Sequence, residues 1–177
     1  MKYLGVIIFV SVALSSCFSV KPTSQKSSKK LVETFYVGIE GTQYFIKPLT
    51  YQVEDSKEEL EIDCIFRYKT KLSDSDSASI NFSTYTNEPL KSFNTVAFEK
   101  VVKTFDQVDL MFVEKDNEYF KSRFTTKVSL IELKTFFESK SKEIKVDSDK
   151  VSIQFIPKKS TKKNMNVIRR DVLELVD

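Results

Sequence analysis

Between Leu60 and Lys69 the side chains alternate in kind. Leu60, Ile62, Cys64, Phe66 and Tyr68 fall on one side and Glu61, Asp63, Arg67 and Lys69 on the other, with Ile65 the one exception. Successive residues of a strand point to opposite faces, so this period of two describes a strand with one face buried and one face wet. Strands buried on one face only belong to antiparallel sheets, because parallel strands are covered on both sides. The same alternation returns in Ala78, Ile80 and Phe82, in Val108, Leu110 and Phe112, in Phe120, Ser122, Phe124, Thr126 and Val128, and in Val151, Ile153 and Phe155. Polar stretches at 54–59, 73–77, 115–118 and 147–150 separate these runs and read as turns. The last of them joins 143–146 to 150–157 as a hairpin. Tyr51, Tyr68 and Tyr85 recur at an interval of seventeen, each near the end of a run, which fits a meander of strands and turns. The expected fold is mainly β: a single antiparallel β-sandwich-like domain.

Two segments depart from period two. Ser129 followed by Glu132 is a capping box, in which hydroxyl and carboxylate satisfy each other's free backbone amides, and Leu130, Leu133 and Phe137 then line one helical face. Near the end, Met165, Ile168, Val172 and Leu175 are spaced by 3, 4 and 3, which predicts a C-terminal amphipathic helix. Phe98, Val101, Val102 and Phe105 have helical spacing but the β-branched and aromatic content of a strand, so residues 96–105 are consistent with either.

The first thirty residues have another character. Lys2 precedes an apolar run from Tyr3 to Leu14, broken only by Ser11, and Leu14-Ser15-Ser16-Cys17 follows at once. Twelve residues are too few for a spanning helix, which needs about 20. The segment therefore reads as an export signal. It resembles the lipobox signal peptide of bacterial lipoproteins, including those of the Bacteroidetes. That resemblance implies cleavage after residue 16, a diacylglyceryl group on Cys17, further acylation of the new amino terminus, and hence membrane attachment through lipid on Cys17. Phe18 to Lys30 carries five serines and threonines and four lysines, with little that is apolar. Such a segment cannot bury enough surface to order itself and reads as a tether. Some lipoproteins of the Bacteroidetes type carry an acidic export tag just after the cysteine, whereas this tether is basic. That departure favours the outer membrane facing the periplasm over the cell surface. The expected organisation is a signal over 1–16, a lipidated cysteine and tether over 17–30, and one globular domain over 31–177.

Without signal and tether, 23 basic residues face 25 acidic ones, so the domain is slightly acidic and no strongly basic body remains to attract nucleic acid. The chain has no histidine, which excludes Ser-His-Asp and Cys-His nucleophiles and His-ligated zinc. With only three glycines, phosphate loops and glycine-patterned repeats are equally remote. With Cys17 assigned to lipid, Cys64 has no disulfide partner, and its place on the apolar side of a strand makes it a core residue rather than a reactive thiol. Alternate carboxylates in Asp74-Ser75-Asp76 and Asp147-Ser148-Asp149 suit hard cations, but the loop from Asp74 lacks both the turn glycine and the final glutamate of an EF-hand and reads as solvated turn. Glu58, Glu59, Glu61 and Asp63 offer a carboxylate pair for acid–base work, although charge on the wet side of a strand explains them as well. The 22 aromatic residues include no tryptophan, the best ring for stacking on sugars, and read as core.

The sharpest basic cluster is Lys158, Lys159, Lys162 and Lys163, with Arg169 and Arg170 beyond it. It suits anionic lipid, an acidic glycan or other anionic polymer of the envelope, or the acidic face of a protein partner, against the simpler reading of a solvated loop leading into the last helix. No aromatic residue follows Pro157, so nothing there stacks on a base. The expected function is therefore that of a membrane-anchored envelope lipoprotein whose non-catalytic domain binds a protein partner or envelope component, with neither cofactor nor metal. The alternative is a lipid-anchored hydrolase that uses carboxylates.

Overall fold

The computed structural model describes residues 31–69, 76–92, 108–139, 142–148 and 151–175, together with the backbone of 95–98 and 101–103. Among the described residues, ten strands lie in one curled antiparallel sheet: β1 (Val32–Tyr36), β2 (Thr42–Gln52), β3 (Glu59–Tyr68), β4 (Ser77–Thr86), β5 (Thr95–Phe98), β6 (Val101–Lys103), β7 (Asp109–Asp116), β8 (Tyr119–Ser129), β9 (Ile144–Asp147) and β10 (Ser152–Pro157). Their order is β6-β5-β9-β10-β2-β3-β4-β8-β7, with β1 alongside β2. Two α-helices lie among the described residues, α1 (Leu130–Glu138) and α2 (Lys159–Asp171). The mainly β, antiparallel reading with an internal and a C-terminal helix is thus the observed architecture, and the ambiguous 96–105 segment forms strands where it is described.

The register shows why the alternation was informative. Ile62 faces Leu49 on β2 and Phe82 on β4, and Phe82 faces Phe124 on β8, so one buried row crosses four strands. Leu49, Ile62, Phe82 and Phe124 are all at most 1% exposed. Cys64 lies in the next row between Ile46 and Ile80 and is fully buried. The helices pack on this same inner side. α1 leans on β4 and β8, while α2 lies against β2 and β10, where the buried Tyr51 hydroxyl donates to Met165 Sδ at 3.4 Å. Pro48, which has no amide hydrogen to give a ladder, falls at a register shift between Ile46 and Leu49.

The capping box closes as expected. The Glu132 amide donates to Ser129 Oγ at 3.2 Å and the Ser129 amide to Glu132 Oε2 at 3.0 Å. Leu130, Leu133, Phe136 and Phe137 are the buried side of α1. Ser129→Ala removes the acceptor for the partly buried Glu132 amide and is expected to cost about 0.5–2 kcal/mol in a denaturant melt. A cost near zero would mean that the cap contributes nothing.

Two expectations need correction. Val108, Leu110 and Phe112 do not share a buried face: a bulge between Leu110 and Phe112 sets Leu110 opposite Phe124 and Phe112 opposite Arg123, on opposite sides of the sheet. An extra residue in a strand reverses the direction of every side chain after it. β7 is also the last strand in the order, so even Leu110 stays 42% exposed. The second concerns Lys158 to Lys163, read as a loop before the last helix. α2 already begins at Lys159 and ends at Asp171; Leu175 falls instead in a short 3-10 turn at Leu173–Leu175.

Candidate functional site: the cationic face of α2

α2 buries Thr161, Met165 and Ile168, and the Thr161 hydroxyl donates to the Thr50 carbonyl of β2 at 2.5 Å. That seating turns Lys159, Lys162, Lys163, Asn166, Arg169 and Arg170 outward, all exposed. Lys159, Lys162, Asn166 and Arg169 follow one another at spacings of 3, 4 and 3, which places them in a single stripe along the helix. Asn166 Oδ1 accepts a 2.7 Å hydrogen bond from Lys142 Nζ, which brings a fifth cation to the group formed by Lys159, Lys162, Lys163 and Arg169. Partial burial, followed by the nearby positive charges of Arg169 and Lys162, pushes the Lys142 ammonium below its ordinary value.

Two of the six predicted residues are otherwise engaged. Lys158 is half-buried and ion-pairs with Glu59 at 2.5 Å, and Arg170 Nε is 2.6 Å from Asp171 Oδ1. Lys142 was not part of the sequence reading, because it lies sixteen residues before the cluster and is joined to it only by the way α2 packs. The N-terminus of α2 is also chemically unusual. Its first turn holds no acidic residue, and Lys158 supplies no side-chain cap. Positive charge at a helix N-terminus opposes the helix dipole, at a cost of about 0.3–1 kcal/mol per group. The lysines therefore do not serve the stability of the helix they begin.

The strand carboxylates are engaged across the outer face of the sheet. Asp63 Oδ2 pairs with Arg123 at 2.8 Å and its Oδ1 accepts from Asn81 at 2.6 Å, while Arg123 also donates to Ser83 Oγ at 2.6 Å. Glu61 accepts from the Tyr85 hydroxyl at 3.3 Å, and the Asn87 amide donates to Glu58 at 3.0 Å. Burial, then the charge of Glu61, pushes the Tyr85 hydroxyl up. These are cross-strand contacts of neighbouring residues on one surface, and each has a structural role in the register. In the 147–150 turn, Asp147 is held below the ordinary carboxylate range, first by a hydrogen bond from Ser152 and then by Lys145, whose ammonium is 3.0 Å away. Asp74 and Asp149 lie outside the described residues, as does Cys17 with the signal and tether. Among the described residues, no three groups of metal-ligating type are gathered together, and no helix is long and apolar enough to cross a membrane.

No protein-family model, curated protein or solved structure matches this chain.

Proposed function

We propose that this chain is an envelope lipoprotein, acylated on Cys17 and held at the outer membrane facing the periplasm, whose β-rich domain binds an acidic protein partner or anionic envelope component through the exposed face of α2. The observation that carries the binding reading is the gathering of Lys142 against the helix face that carries Lys159, Lys162, Lys163 and Arg169, with Lys159 and Lys162 opposing the helix dipole in the first turn. Features that break a local rule of stability concentrate where a protein meets something else. The lipobox-like Leu14-Ser15-Ser16-Cys17 supports the anchor.

Exposed charges act mainly on encounter and salt dependence, so a functional cationic face should bind in a salt-sensitive manner. Replacing Lys162, Lys163 and Arg169 together by glutamine is expected to weaken association with the protein's own envelope fraction roughly tenfold, taking about 0.5 kcal/mol for each exposed charge. The circular dichroism spectrum should be unchanged, because these side chains are exposed. Binding that survives both the triple substitution and high salt would refute the role of α2.

A further inference from the structure

β1 and β2 form a hairpin whose tip is strongly apolar and open to solvent. Ile39 is 97% exposed and Tyr36 62% exposed, and the apolar surface continues through Val37 into a shallow groove lined by Phe35, Phe45 and Ile65, with Gln43 and Arg67 on its polar side. The rings of Phe35 and Phe45 meet edge to face, their centroids 5.4 Å apart. Charges flanking this surface are neutralised locally, Glu40 by Arg67 and Glu33 by Lys47 at 2.9 Å. The tip is held in shape by its glycines. Gly41 has φ +94°, and a Cβ added there would lie 2.3 Å from the Tyr68 carbonyl oxygen, so only glycine lets β2 start so close to the end of β3.

We propose that the tip carrying Tyr36, Val37 and Ile39 inserts into the interfacial layer of the membrane that anchors the chain, giving the domain a second membrane contact and a defined orientation. This rests on the lipid-anchor reading above. A lipid surface is the occupant because of chain length. Thirteen residues separate Cys17 from Leu31, and a random coil of that length would span about 20 Å on average. β1 runs from Leu31 to the tip through five residues, a rise of about 17 Å. A domain standing with its tip at the lipid therefore sets Leu31 at about the height that the tether reaches by itself. An aliphatic side chain with a tyrosine beside it suits that layer, where the hydroxyl stays wet and the ring does not. Thr161 near the start of α2 is bonded to Thr50, eight residues along β2 from Thr42 and so about 26 Å from the tip end of the strand, which sets the first turn of α2 apart from the membrane contact.

The chain contains no tryptophan, so an Ile39→Trp substitution in the full lipidated protein introduces one fluorescent reporter at the tip. An Ile131→Trp variant places the same reporter on the exposed side of α1, where the native residue is 55% exposed. Both are reconstituted in vesicles of phosphatidylethanolamine and phosphatidylglycerol with brominated acyl chains, and intact mass establishes whether Cys17 is acylated. The expected result is a blue shift and strong quenching for Ile39→Trp, with neither for Ile131→Trp. With Cys17 acylated, a red and unquenched Ile39→Trp reporter overturns the proposal and leaves the anchor intact. Equal quenching of both reporters also overturns it, since the contact would then not be specific to the tip. A reporter that shifts only when envelope protein is added points to a protein partner and overturns it as well. Absence of acylation refutes the anchor instead, and the tip is then judged by quenching alone.

Discussion

Replacing Phe82 by alanine is expected to destabilise the protein by about 3–5 kcal/mol, a large part of the stability of a domain of this size. Phe82 is fully buried between Ile62 on β3 and Phe124 on β8, both also fully buried. Removing the ring loses its transfer free energy and leaves a cavity between strands whose ladders prevent collapse. Phe112→Ala is the comparison. Its ring is 37% exposed on the other side of the sheet, near Lys121, whose ammonium is 5.9 Å from the ring centre. It should cost much less, because part of the ring already meets water. Denaturant melts of the two variants test the bulge in β7 directly: equal losses would place Phe112 on the buried side and refute the register change.

Stability is also expected to fall steeply above pH 9. Burial, with a smaller contribution from the neighbouring Asp63 charge, pushes the Cys64 thiol well above its ordinary value of 9.0. Tyr51 is raised in the same way from 10.0, first by burial and then by Cys64. Below pH 9 both groups are neutral whether the chain is folded or not, and stability is fully present. As pH rises through the unfolded values, the unfolded chain loses protons that the folded chain keeps, which favours unfolding by about 1.4 kcal/mol per pH unit for each group. The loss begins near pH 9 with Cys64 and steepens above pH 10 with Tyr51. Urea melts between pH 7 and 11 should show this decline. Cys64→Ala should be less stable at pH 7 but should lose less stability between pH 9 and 10. An unchanged slope in that variant would show that the thiol ionises in the native state and is not buried.

Much of the fold was legible because period two is a direct consequence of the pleat. The inner row Leu60, Ile62, Cys64, Phe66 and Tyr68 could be read without knowing what it touches, and the Ser129–Glu132 cap could be read because its partners are three residues apart. The bulge in β7 was not legible, since nothing in Val108 to Phe112 distinguishes a strand with one extra residue from a regular one. The early start of α2 was hidden because four lysines in six residues obscure helical spacing, and the side that decides the matter consists of a single threonine, Thr161, bonded to Thr50.

The candidate site divides in the same way. Five of the residues named from sequence lie on α2 and the sixth, Lys158, immediately precedes it, because a cluster close in sequence stays close in a helix. Which of them are turned outward followed from packing: Lys158 is drawn to Glu59 on β3, and Lys142 joins from a segment distant in sequence. The hairpin tip lay outside the sequence reading, although Gly38 and Gly41 around Ile39 marked a turn, because exposure of an apolar residue is a property of the folded surface.

The sequence by itself determined that these strands bury one face, that they pair antiparallel and where α1 begins, since each of these depends on neighbours within a few residues. Strand order, the side of the sheet on which Phe112 lies, the assembly of the cations around Asn166 and the open position of Ile39 were decided only by tertiary structure. Each depends on contacts between residues far apart in the chain, and their energies have no counterpart in local pattern.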